Sequence, residues 1–143
     1  MQTFLPYPDF AESARCLDYR RLGKQRVEAY QLLQALFYGG GWANHPATRM
    51  WRGHALALAT YGLACCDEWT RRNYRDHIGV KFREFLDANA QHPIHLPDWI
   101  GNVRFHRSHQ SNLLRKHPEH YGKFGWDVSP HLPYIWPVPG QTP

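Results

Sequence analysis

The 143 residues predict an all-α protein, a compact single-domain helical bundle with an extended N-terminal segment and a Pro-rich C-terminal tail. Three observations carry that expectation. Apolar residues recur at three- and four-residue spacing along successive stretches, the mark of helices that bury one stripe. No run of strand-like alternation extends beyond four residues. At 43% hydrophobic and 15% aromatic, a chain of this length fills one core, so residues 1–143 are expected to form a single domain.

The elements follow in order. Residues 1–8 are apolar and interrupted by Pro6 and Pro8, which predicts an extended segment packed on the body. Asp9 followed by Glu12 has capping-box character and starts a short helical turn leading into a long helix through about Tyr38. Gly23 inside that helix costs about 1 kcal/mol relative to Ala. It is either a tolerated weakness or a place where a backbone or ligand comes close. Gly39, Gly40 and Gly41 end the helix, and Pro46 suits the first turn of a second one running to about Asn73. Trp51, His54, Ala55, Leu58, Gly62, Cys65 and Trp69 form its core stripe. A third helix is expected over about 76–88, a packed loop over 91–103 and a fourth helix over about 107–116, with Pro118 ending it or starting a new turn. From about residue 129 five prolines predict an extended tail, pinned by Tyr134, Ile135 and Trp136.

Seventeen Lys and Arg against 12 Asp and Glu give +5 at pH 7, which favours an anionic partner such as nucleic acid. The three cysteines, two of them adjacent, suit a reduced compartment better than a disulfide framework. Without a basic, apolar leader or a window of roughly 18 apolar residues, the protein is expected to be cytoplasmic. A monomer is expected.

Several chemistries lack their motifs. Neither a phosphate-binding GxxxxGK[ST] loop nor HExxH is present, and no Ser lies in a GxSxG context. His106, His109, His117 and His120 invite a zinc reading, but Pro118 interrupts them and Glu119 is their one nearby carboxylate, so histidines facing phosphates or making hydrogen bonds are preferred. No metal and no cofactor is assigned. Cys16 has only Arg15 nearby to lower its pKa and reads as a small buried residue.

The strongest anomaly is residues 16–34, CLDYRRLGKQRVEAYQLLQ. On a helix, Leu22, Ala29, Leu32 and Leu36 share a stripe with Asp18 and Gln25, while Arg21 and Glu28 lie beside it. Burying such groups without partners costs roughly 1 to 3 kcal/mol each. The stripe is therefore either a structural network or a site. Asn44 and His45 in the Gly-rich loop and His54 beyond it are expected to return beside this helix. A pocket walled by Asp18, Gln25, Glu28, Asn44, His45 and His54 follows, with Trp42 and Trp51 available for stacking.

Three stretches carry a resemblance. LDYRRLGKQ resembles the first-helix pattern acidic-Tyr-Arg-Glu-Leu-Pro-Arg of the phage-type pyrimidine-dimer DNA glycosylases; HPEHYGKFG is similar to their C-terminal Arg-Pro-Thr-Trp-Tyr-Lys-Tyr-Tyr-Gly; RGHALAL is weakly similar to their Gly-Ala-Gly-His segment. The resemblance implies an all-helical fold that binds and kinks double-stranded DNA, flips a nucleotide and cleaves the glycosidic bond through the N-terminal amine, assisted by a first-helix Glu. It implies phosphate contacts from Arg20 and Lys24, with Arg21 and His54 added to the nucleic-acid-binding set, and DNA contacts from Tyr121, Lys123 and Phe124. Arg21 stands where that Glu is expected, which passes its role to Asp18 or Glu28. Met1 before the bulky Gln2 is expected to be retained and to offer the amine, so the candidate catalytic set is Met1, Asp18, Glu28, Gln25 and His45. The expected function is excision of a damaged or modified pyrimidine, with abasic-site lyase activity as a second step; a non-catalytic nucleic-acid-binding module is the alternative.

Overall fold

The computed structural model describes residues 1–137, and the rest of the expected tail, 138–143, lies outside the described residues. Asp9 starts the first helix as expected: its side chain accepts the Glu12 N–H at 2.8 Å and caps α1 (Phe10–Cys16). The chain then breaks. Leu17 is extended, and Asp18 caps a separate α2 (Tyr19–Tyr38) by accepting the Arg21 N–H at 3.5 Å. Asp18 is thus a helix cap, where the periodicity had placed it on the stripe of a continuing helix. Gly39, at φ +72°, ends α2.

The single second helix expected from Pro46 to Asn73 is two. Pro46 opens the short α3 (Pro46–Arg49); Gly53, at φ +82°, turns the chain, and α4 (Ala55–Arg71) follows. The turn lets Trp51 sink into the core, where its indole N–H donates to Thr3 Oγ1 at 3.0 Å. α5 (Gly79–Ala88) starts later than expected because the Asp76 carboxylate accepts the Ile78 and Gly79 N–H groups at 3.3 and 2.7 Å. α6 (Val103–Lys116) starts earlier, since Asn102 Oδ1 accepts the Phe105 N–H at 3.0 Å. Pro118 opens a new turn, α7 (Pro118–Tyr121), followed by a 3-10 turn over Gly122–Phe124. No strand occurs among the described residues, and none of their helices is long and apolar enough to cross a membrane.

α4 is the central helix, with α2, α1 and α5 packed on it. Gly62 makes the α5 contact possible, because a Cβ there would collide with the Phe82 ring. The N-terminal segment is extended and buried from Gln2 to Pro6. Its backbone is held from two helices. Gln25 on α2 accepts the Phe4 N–H at 2.8 Å and donates to Gln2 O at 2.8 Å. On α6, His109 Nδ1 accepts the Leu5 N–H at 2.9 Å and His106 Nδ1 donates to Leu5 O at 2.8 Å. A further face of α6 holds the tail: Ser111 and Ser108 accept the Leu132 and Ile135 N–H groups at 2.9 and 3.2 Å, and Asn112 donates to Leu132 O at 3.1 Å.

Two consequences follow from this packing. Gly62→Ala gains about 1 kcal/mol of helix propensity but overpacks the core at a cost of about 1 to 3 kcal/mol. Its thermal midpoint should fall by a few degrees, and an unchanged midpoint would contradict the α4–α5 contact. Burial, reinforced by His106, pushes the His109 pKa down to about 3. The unfolded chain therefore binds a proton at His109 from about pH 6.5 downward that the folded chain refuses, so stability falls with pH across that window. Thermal midpoints measured from pH 7 to pH 5 should drop in the wild type and drop less in His109→Gln; parallel slopes would remove His109 from the account.

Candidate functional site

The polar half of α2 opens onto a cleft of about 950 Å³, at the upper end of ligand-binding pockets, which run from roughly 300 to 1,000 Å³. Tyr19, Arg20, Gly23, Lys24, Val27 and Gln31 line it at the spacing of one helix face, and Arg21, Gln25 and Glu28 join them. Met1, Gln2 and Phe4 form the opposite margin because Gln25 and the α6 histidines fix that segment. His45 enters from the loop before α3, Trp69 from α4, Lys116 from the end of α6, and Tyr134 and Trp136 from the tail.

The structure separates the two carboxylates. Asp18 caps α2, and its carboxylate accepts Tyr121 Oη–H at 2.5 Å and Arg21 Nη1–H at 3.1 Å. Burial alone would raise its pKa, but these bonds outweigh it and hold Asp18 below the usual carboxylate range. It does not line the cleft. Glu28 does, nearly three turns further along, and its Oε2 accepts the Gln2 N–H at 3.3 Å. The carboxylate facing the first residues is therefore Glu28.

Gln25 serves the backbone. Both ends of its amide are committed to the N-terminal segment, and Tyr61 Oη–H donates to the same Oε1 at 2.6 Å. His45 caps α3 through Nδ1, which accepts the Ala47 N–H at 3.0 Å, so its neutral ring carries the proton on Nε2. Burial lowers the His45 pKa, the positive N-terminus adds to this, and Glu28 opposes it. Arg20 and Lys24 are exposed and make no ion pair among the described residues, whereas Arg21 is tied to Asp18.

Gly23 proves to be a close-approach site, though for a ring rather than a backbone. A Cβ there would lie 3.1 Å from the Trp69 ring. Trp69 stacks in turn on Tyr19 at 5.4 Å and on Tyr74 at 4.3 Å between centroids, and Arg26 lies over it at 4.4 Å.

Other predicted residues lie elsewhere. His54 precedes α4 and lines a separate hollow with Arg52 and Phe85, its Nδ1 donating to His95 O at 3.2 Å. Asn44 is exposed, its Oδ1 3.4 Å from Arg52, and Trp51 is buried. Tyr121 is fully buried against Asp18, Phe124 stacks on Trp126 at 5.3 Å, and Lys123 is exposed; none of the three lines the cleft. The four spaced histidines are divided: His106 and His109 bind the N-terminal backbone, and His120 Nε2 donates to Cys16 O at 2.8 Å. No group of three His, Cys, Asp or Glu forms a metal-sized cluster among the described residues. Burial pushes the Cys16 thiol up to about 12, which removes it as a nucleophile.

Sequence reasoning missed Tyr19, Trp69, Lys116, Tyr134 and Trp136 as cleft residues. Tyr19 was within reach, since it shares a helix face with Gly23 and Val27. The others arrive from distant elements, and no local pattern announces them.

The family model for pyrimidine dimer DNA glycosylase matches residues 1–82. No curated protein and no solved structure matched the chain. The matched span holds the N-terminal segment, α1 to α4, Glu28, His45 and the basic face of α2, and it exceeds half of the 143 residues. The chain belongs to the pyrimidine dimer DNA glycosylase family.

Proposed function

We propose that the protein excises a damaged or modified pyrimidine from double-stranded DNA and then opens the abasic site as a lyase, with the Met1 α-amine as nucleophile and Glu28 as the assisting carboxylate. The observation that carries this reading is the Gln2 N–H to Glu28 bond inside the cationic cleft, which sets a carboxylate beside the first residue. The unprotonated amine donates its electron pair to the sugar C1′, the C1′–N bond breaks, and its pair leaves with the base, which takes up a proton. The nitrogen loses a proton, the C1′–O4′ bond opens with protonation of O4′, and an imine results. Glu28 is placed to accept the C2′ proton, after which the C3′–O bond breaks and its pair leaves with the phosphate. Arg20 and Lys24 hold phosphates, Gln25 positions the segment that carries the amine, and Asp18 holds Arg21 and the start of α2.

Borohydride reduction on an abasic duplex should trap the chain as a stable adduct, and acetylation of the N-terminus should abolish the trapping. Glu28→Gln should lower base release by about a hundredfold or more, the range for a positioned acid–base group, with DNA binding retained. No adduct, together with no base released from ultraviolet-damaged or modified DNA, would overturn the enzyme reading. It would favour a non-catalytic DNA-binding module, a reading supported by Arg21 standing where the family pattern carries Glu. Arg20→Ala and Lys24→Ala should each weaken binding across sequences and flatten the log–log salt slope by about one; slopes equal to wild type would remove them from the phosphate contacts.

A further inference from the structure

The six tryptophans fall into two groups. Trp51, Trp69, Trp99 and Trp126 donate their indole N–H groups to Thr3 Oγ1, Arg75 O, Met50 O and Tyr7 Oη. That is the normal condition of a packed indole. Trp42 and Trp136 donate to no acceptor among the described residues, and both pack edge-on against His45, at 5.3 and 5.9 Å between centroids. His45 carries a third such donor: its Nδ1 is occupied by Ala47, and its Nε2–H meets no acceptor among the described residues.

Trp136 is held firmly where it stands. Ser108, Ser111 and Asn112 bind the backbone at Leu132 and Ile135, and Arg115 donates to Pro130 O at 2.7 Å. One face of a helix is thus given over to positioning a segment that has no regular structure of its own, and its end turns two aromatic rings, Tyr134 and Trp136, into the cleft. The cationic residues Arg20, Arg21 and Lys24 lie on α2. The cleft therefore combines cations suited to phosphate with an aromatic, donor-bearing wall suited to a base.

We infer that Trp136 and His45 form the base-recognition wall, taking a pyrimidine whose face lies on the Trp136 indole while a ring carbonyl accepts from His45 Nε2–H. This rests on the glycosylase reading above and names what selects the base. Trp136 lies outside residues 1–82, so the selecting ring comes from the part of the chain beyond the family match. The wall acts only while the base is attached; an abasic sugar offers it nothing to hold.

The experiment uses the full chain with Trp136→Ala and Trp136→Phe, measuring base release from an ultraviolet-irradiated duplex and borohydride trapping on an abasic duplex. Trp136→Ala should lose roughly ten- to a hundredfold in base release, the range of base–aromatic stacking, while trapping falls at most about twofold. Trp136→Phe should recover part of the loss, since it restores a ring of smaller stacking area. Unchanged base release in Trp136→Ala overturns the inference. So does a parallel loss of trapping, which would mark a collapsed cleft. A wild-type chain that neither releases base nor traps overturns the glycosylase reading itself and, with it, this one.

Discussion

The structure depends on how residues 2–5 are held. An extended segment has no helical partners for its N–H and C=O groups, and burying them unpaired costs free energy comparable to lost hydrogen bonds. Here the partners are side chains: Gln25 serves Gln2 and Phe4, and His106 and His109 serve Leu5. Thr3 adds an acceptor for Trp51. This explains why polar residues occupy positions on α2 and α6 where an apolar stripe alone would be more stable. The clamp also delivers the start of the chain to the cleft.

The polar half of the α2 stripe resolves into separate jobs. Asp18 is a cap whose carboxylate is taken up by Tyr121 and Arg21. Gln25 is a backbone clamp. Glu28 faces the cleft with one bond to the backbone at Gln2. The network around Asp18 and Gln25 and the cleft around Glu28 share one helix. The bonds from Gln25 and Glu28 to the backbone at Gln2 and Phe4 keep this side of the helix in register with the first residues.

The cleft has two origins. Residues 1–82, the span shared with the family, supply the N-terminus, Glu28, His45 and the cationic face of α2. Lys116, Tyr134 and Trp136 come from beyond it and reach the cleft because α6 binds the tail through Ser108, Ser111 and Asn112. A helix that holds the N-terminal segment on one side and the tail on another ties the two halves of the cleft together.

By itself the sequence determined the fold class and the helix-forming stretches, because periodicity, the Asp9 cap and Pro46 at a helix start act over a few residues. Its errors sit at breaks. The Asp18 and Gly53 interruptions were hidden because the apolar spacing runs on through both, and the reasons for stopping are tertiary: Asp18 is held by Tyr121, 103 residues away, and Trp51 must turn inward to meet Thr3. Only the tertiary structure decided between Asp18 and Glu28, sent His54 to another surface, buried Tyr121 and brought Trp136 to His45. Each of these turns on which side chains share a buried bond or contact across distant segments, and such pairings leave no period in a sequence.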